Sequence, residues 1–380
     1  MCKLLPGWIE TIWYPSHMKP RSWWQTICFY LLLPFSLLYA MLSLLIQYTV
    51  LVARYYGLGY RSSVPVVVVG NFTVGGTGKT PIVSYLCEQL KKQGFHPGII
   101  SRGYGRSTKG VLTVTEELPA HMVGDEVALL FQLTACPIVV ANRRNQAIQS
   151  LLTHFPAVDV IISDDGLQHA GLYPDLRIVV VDGQRGLGNG YCIPAGPLRA
   201  PRIAGGVFSQ ADVLVLNTSA LTQAEMSKAI TSHSMSMVPV YPMRFDVVGF
   251  CKVIPGIPYQ TTLSTVSIES FMQSIQTTPV HAVAGIGNPG AFFHSLEKMG
   301  LNIVRHVYPD HHAFKSEDLM FEPQGTIIMT EKDAIKCAQH LPSGDCWVLK
   351  IRVTMDEGFS AMVGQSVKRN QLCRRSKHDR

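Results

Sequence analysis

The stretch VPVVVVGNFTVGGTGKTPIVSYLCEQLKKQG, residues 64–94, restricts the possible folds more than any other part of the chain. Four consecutive valines make a strand apolar on both faces, and such strands belong to parallel sheets covered by helices on both sides. After the glycine-rich turn, Pro81 near the start, spaced apolar residues and Gly94 as a stop read as an amphipathic helix. A strand that passes through glycines into a helix N-terminus is an anion cradle, because the first amides of the helix have no acceptor within it. The spelling departs from G-x-x-x-x-G-K-[ST], with Thr73 in place of the first glycine and Gly75 and Gly76 as extra ones. The context outweighs the departure, since Gly75, Gly76 and Gly78 still let successive N–H groups converge on a phosphate. Thr73, Val74, Gly75, Gly76, Thr77, Gly78, Lys79 and Thr80 are therefore the expected nucleotide cradle, with Lys79 neutralising the β- and γ-phosphates and the Thr80 hydroxyl on Mg²⁺.

Such a loop needs a carboxylate from a neighbouring strand end, and VDVIISDDG supplies Asp164 and Asp165, followed by Gly166 and His169. One of the two aspartates is expected to hold the metal. Strand-like and helix-like stretches alternate around these motifs, as in βαβ units. In a parallel sheet ligands bind outside the carboxyl ends of the strands. That places SRGYGR, with Arg102 and Arg106, and GDE, with Asp125 and Glu126 at a helix start, on the same face. A Gly- and Pro-rich stretch, Gly183 to Gly206, reads as a functional loop near a domain boundary. A second alternating block follows, and it contains a rival signal: Gly285, Gly287 and Gly290 spell G-x-G-x-x-G between a strand and a helix, with Asp310 at the spacing of a ribose-binding acid. Pro289 removes an N–H from that turn, and a dinucleotide enzyme leaves the first loop and DDGLQH unexplained. A nucleotide switch of the partitioning-ATPase type wants a lysine where Val74 stands.

Residues 26–53 carry no charge and are long enough to span a bilayer. The run is too long for a signal-peptide core, and Trp8, Trp13, Trp23, Trp24, Tyr55 and Tyr56 bracket it like interfacial anchors. Lys3, Lys19 and Arg21 precede it and Arg54 and Arg61 follow, so charge bias does not fix its orientation. The nucleotide site is expected to form without it. The formal net charge of +7 is concentrated in the last thirteen residues, where Lys368, Arg369, Arg374, Arg375, Lys377 and Arg380 face only Asp379; this reads as a solvated tail, with attraction to anionic lipid as the sharper alternative. The body is nearly neutral, and no nucleic-acid partner is expected. Nine scattered cysteines without a C-x-x-C pair suit free thiols.

Taken in order, TVGGTGKTP, SRGYGR, GDE, DDGLQH, PAGPLR, GIGNPG, PDHH and TEKDA, behind an apolar N-terminal helix, resemble the tetraacyldisaccharide 4'-kinase family of lipid A biosynthesis. The resemblance implies a P-loop NTPase-like parallel sheet domain with an N-terminal membrane helix and a second, smaller α/β domain. It implies ATP and Mg²⁺ as cofactors, and phosphorylation of the 4'-hydroxyl of a tetraacyldisaccharide 1-phosphate at the cytoplasmic face of the bacterial inner membrane. The implied partners are the lipid substrate and membrane lipids, with no obligatory protein partner. By the same resemblance Asp125 is the base, His311 of PDHH supports it from the second domain, Asp164 and Asp165 serve the metal, and Arg102, Arg106, Glu126, Arg143 and Arg199 serve the substrate. The family usually has an acid after the arginine of PLR, where this chain has Ala200. The expected division is an anchoring segment 1–58, a P-loop kinase domain 59–205, a C-terminal α/β domain 206–355 and a basic tail 356–380.

Overall fold

The computed structural model describes residues 7–15, 21–167, 171–201, 211–219, 221–226, 238–254, 264–275, 279–337, 340–341 and 345–378. His169 lies outside them. The chain opens with a short helix α1 (Gly7–Trp13) and a long one, α2 (Trp23–Tyr55). Then come β1 (Val66–Gly70), α3 (Lys79–Lys92), β2 (Pro97–Ser101), β3 (Leu112–Thr113), α4 (Ala120–Val123), α5 (Asp125–Thr134), β4 (Ile138–Val140), α6 (Arg144–His154), β5 (Val160–Asp164) and β6 (Leu176–Asp182). The second half carries β7 (Val213–Asn217), β8 (Val240–Val253), β9 (Thr265–Val266), α7 (Ile268–Ser274), β10 (Val280–Ala284), α8 (Pro289–Lys298), β11 (Ile303–Val307), β12 (Thr326–Thr330), α9 (Glu331–Cys337), β13 (Cys346–Met355) and α10 (Glu357–His378).

The valine run forms β1, buried at all five positions and flanked in parallel by β5 and β6. Its alternate residues face opposite layers. Val67 and Val69 meet Ile82, Leu86 and Leu90 of α3, whereas Val66 and Val68 pack in a layer with Ala147, Ile148 and Leu151 of α6. The parallel neighbours β1, β5, β2 and β4 all end at one edge, and the loops after them form one rim of the site.

One sheet runs through both halves, in the order β11-β10-β12-β13-β8-β7-β6-β1-β5-β2-β4-β3, with β9 on β8. β7, which lies beyond residue 205, pairs in parallel with β6. The splice is β8: its start pairs in parallel with β7, and its length pairs antiparallel with β13. Gly249 sits where β9 crosses β8, and a Cβ there would lie 2.2 Å from the Val266 carbonyl oxygen.

Residues 357–378 do not form a solvated tail. They form α10, in which Phe359, Val363 and Val367, four residues apart, are buried in the same core as α3. Arg374 pairs with Asp175 at 2.8 Å and donates to the Ser62 carbonyl at 3.2 Å. The helical apolar stripe buries one face, and Lys368 and Arg369 lie exposed on the others.

Residues Trp23–Ala53 of α2 are long and apolar enough to cross a membrane, and most of their most apolar part is unburied. The first half of α2 is nevertheless partly docked. Phe29 joins Ile12, Trp13 and Ala195 in a small core that reaches Val74, and Ser36 Oγ donates to the Cys192 carbonyl at 2.7 Å. The described cysteines are free thiols.

Candidate active site

The loop after β1 bends as its glycines require: Gly75 and Gly78 have φ of 119° and 93°, and Gly78 caps α3 with no side chain of its own. Asn71, buried beneath the loop, donates through Nδ2 to the Thr73 carbonyl at 2.8 Å and accepts from Lys79 Nζ at 3.1 Å. Lys79 also lies 3.5 Å from Asp165. The ammonium is thus held over the loop mouth by one neutral and one charged oxygen. The Thr77 hydroxyl is buried without a hydrogen-bond partner among the described residues.

Asp164 and Asp165, at the end of β5, sit in contrasting surroundings. Asp164 is buried, its Oδ2 accepts from Ser101 Oγ at 3.3 Å, and its Oδ1 finds no hydrogen-bond partner among the described residues. Burial, with Glu126 and Asp165 nearby, pushes its carboxyl up to about 7. Asp165 adopts a left-handed backbone, φ 48°, and turns its carboxylate to Arg199 at 3.2 Å. Burial opposes its charge too, but Lys79 and Arg199 hold it below the usual carboxylate range.

A cavity of about 370 Å³ opens between these residues, bordered by Asn71, Ser101, Arg102, Tyr104, Glu126, Arg144, Asp164, Asp165 and Arg199. Arg106 does not border it. Its Nη2 donates to the Gly110 carbonyl at 2.6 Å, and the side chain braces its own loop. Arg143 is exposed at the N-cap of α6, while its neighbour Arg144 is buried, donating to the Asp164 carbonyl at 3.0 Å. Burial pushes Arg144 down to about 10. Sequence reasoning missed Arg144, although it shares a helical face with Ala147, Ile148 and Leu151. Ala200, at the family's acidic position, is buried with 5% exposure.

The second half closes the site from the other side. Asp125 is the first residue of α5, and its Oδ2 lies 3.2 Å from Nδ1 of His311, 186 positions away. His311 is held at φ 61°, and its ring lies 5.3 Å from that of Tyr104. Lys332, from the TEKDA motif, pairs with Glu126 at 2.9 Å and with Asp310 at 3.1 Å. Burial works against the Glu126 charge, but Lys332 and Lys79 overcome it and hold the carboxyl below the usual range. Neither Asn71 nor Lys332 figures among the expected site residues. The contact of Lys332 with Glu126 spans 206 positions of chain, which no local spacing reveals.

The G-x-G-x-x-G turn is placed on the phosphate loop. A Cβ on Gly287 would come 2.6 Å from the Gly76 nitrogen, so the two glycines permit backbone to pass against backbone. Asn288 Nδ2 reaches Asp182 at 3.4 Å, at the end of β6. Asp310, the candidate ribose acid, is engaged by Lys332 and by the His311 amide at 3.1 Å.

Residues 28–368 match the profile of the family described as tetraacyldisaccharide-1-P 4'-kinase. The chain belongs to this family. A tetraacyldisaccharide 4'-kinase from Dechloromonas aromatica is 37% identical over 371 residues, covering 97% of this chain and 100% of the relative. One from Coxiella burnetii is 40% identical over 328 residues, covering 84% of this chain and 86% of its own. The crystal structure of LpxK from Aquifex aeolicus in complex with ATP matches with a TM-score of 0.66 at 26% identity, over 89% of this chain and 97% of that one. Membership of a kinase family accounts for the first glycine-rich loop and leaves the dinucleotide reading of Gly285–Gly290 without support.

Proposed function

We propose that this chain transfers the γ-phosphoryl group of ATP to the 4'-hydroxyl of a tetraacyldisaccharide 1-phosphate, giving the 1,4'-bisphosphorylated lipid A precursor. The observation that carries the reading is the meeting of Asp125 and His311 at 3.2 Å from opposite halves, at the rim where Lys79 and Asp165 also converge. Residues Thr73–Thr80 hold the nucleotide, and Lys79 leaves Asn71 and Asp165 for the phosphates. Asp125 takes the proton as the sugar oxygen bonds to the γ-phosphorus and the bond to the β-phosphate oxygen breaks. His311 orients Asp125 and shares the proton. Arg102 and Arg199, at the border of the cavity, present cations to the anionic headgroup, and the buried Arg144 braces the backbone of Asp164. Arg106 and Arg143 act at most from outside the cavity.

Thr80, Asp164 and Asp165 are suited to Mg²⁺. The unpartnered Asp164 Oδ1 and the raised Asp164 carboxyl both call for a cation. Two adjacent carboxylates at a strand end beside a phosphate cradle fit an ion bound through one or two carboxylates together with phosphates and water. When bound, Mg²⁺ neutralises charge on the transferring phosphoryl group. Helix α2 keeps the enzyme at the cytoplasmic face of the bacterial inner membrane, where the lipid resides.

Detergent-solubilised protein given ATP, Mg²⁺ and the disaccharide 1-phosphate lipid should yield lipid carrying one additional phosphoryl group at the 4' position. Asp125→Asn should lower kcat about 10²–10⁴-fold with ATP affinity largely kept. Absence of the phosphorylated lipid overturns the reading.

A further inference from the structure

Lys332 has no place in the transfer chemistry above, yet it touches the chain neighbours of both proposed proton-handling residues. Its ammonium contacts Glu126, next to Asp125, and Asp310, next to His311. We propose that Lys332 is a positioning residue for phosphoryl transfer, clamping Glu126 to Asp310 so that Asp125 and His311 stay in contact across the two halves.

Three features support a clamp over an ordinary surface pair. First, the lysine side chain is only 14% exposed, so its ion pairs are shielded from solvent and geometrically restricted. Second, Asp310 Oδ1 accepts from Lys332 Nζ and from the His311 backbone N–H, both at 3.1 Å. The same oxygen thus ties the lysine to the residue whose left-handed backbone aims its ring at Asp125. Left-handed conformations are unfavourable for a histidine and persist where the surroundings impose them. Third, Glu126 lies in the first turn of α5 directly after Asp125, so fixing Glu126 fixes the helix end that presents Asp125. Lys332 is itself in the first turn of α9, which begins where β12 ends. Displacing either Asp125 or His311 by about 1 Å is enough to cost on the order of 10²-fold in rate.

The inference rests on Asp125 acting in the transfer step, and the experiment separates the two. In full-length protein with ATP, Mg²⁺ and the lipid, Lys332→Met is expected to lower kcat about 10²-fold, with the ATP KM changed less than about threefold. Lys332→Arg, which keeps a cation able to reach two carboxylates, should recover most of the rate. Because the lysine acts through the pair, Lys332→Met added to His311→Ala should cost little more than His311→Ala alone. Asp310→Asn, which keeps an acceptor for the His311 amide and removes the charge, provides a milder variant should Lys332→Met fold poorly; it should show the same loss confined to kcat. Wild-type kcat in Lys332→Met or in Asp310→Asn overturns the clamp, as do losses that multiply with His311→Ala. An inactive Asp125→Asn beside a fully active Lys332→Met defeats the clamp alone, and a fully active Asp125→Asn defeats the proposed base and the clamp with it.

Discussion

Asp164 has the most unusual charge state among the described site residues, and it makes the stability of the metal-free protein depend on pH. An unfolded aspartate titrates near 3.9, and burial beside Glu126 and Asp165 raises the folded value to about 7. Between those values the folded chain holds a proton that the unfolded chain has lost, so stability falls as pH rises and the loss is complete above about 7. Asp164→Asn removes the ionisable group while keeping its shape. In the presence of EDTA the variant should melt higher than wild type near about pH 8, and the gap should close towards about pH 4. Equal melting temperatures at both values would refute the assignment of an uncompensated buried carboxylate. Much of the site at this scale was legible in the sequence. Residues 73–80, Asp164 and Asp165 have to be neighbours in the chain to share a loop or a strand end, so spacing exposed them. Arg143 and Arg144 illustrate the limit. The residue type was evident, but which arginine enters the cavity depends on the phase of α6, and that phase is set by the burial of Ala147 and Ile148.

At the scale of elements, the parallel strands and their helices follow directly from apolar runs and their breaks, but β8 and α10 do not. β8 contains Pro242, Asp246 and Gly249, each unfavourable in an isolated strand, and it exists because β7 and β13 supply its hydrogen bonds. In α10 the basic residues gather in the second half and draw attention from a stripe of three buried residues in the first. Phe359 is fully buried, with its ring 5.2 Å from that of Tyr241 and 6.4 Å from that of Tyr85 on α3, the helix that begins with Lys79. Phe359→Ala should therefore destabilise the protein by about 3–5 kcal/mol, the range for emptying a large buried aromatic site. Urea unfolding gives the test: the midpoint should fall while the slope stays unchanged. A midpoint equal to that of wild type would mean that the C-terminal helix contributes nothing to the core.

At the scale of the whole molecule, the N-terminal segment has two roles that the structure makes separable. Beyond Met41, leucines such as Leu45 and Leu51, with 58% and 65% exposure, form an exposed apolar surface. Before that point the segment grips the strap that carries Arg199: Trp13 Nε1 donates to the Pro194 carbonyl at 2.9 Å, Ser36 Oγ to Cys192, and the Tyr39 hydroxyl to the Arg199 carbonyl at 3.1 Å. Val74 of the phosphate loop packs in the same cluster, and Arg185, salt-bridged to Glu10 at 2.5 Å, lies beside Gly75. The expectation that the nucleotide site forms independently of this segment thus meets direct contacts between the two. A chain beginning at Tyr60 should lose most activity on vesicle-embedded lipid and should also bind ATP about tenfold more weakly, equivalent to about 1.4 kcal/mol, roughly one or two lost hydrogen bonds. Ser36→Ala combined with Tyr39→Phe isolates the second effect, since it leaves the apolar surface whole: vesicle attachment should be unchanged while ATP affinity falls by a few-fold. Calorimetric titration of ATP into both variants decides the matter. Wild-type affinity in the chain beginning at Tyr60 would show that the segment does not support nucleotide binding, whereas weakened binding in the double variant would establish that α2 helps to hold the nucleotide site in shape.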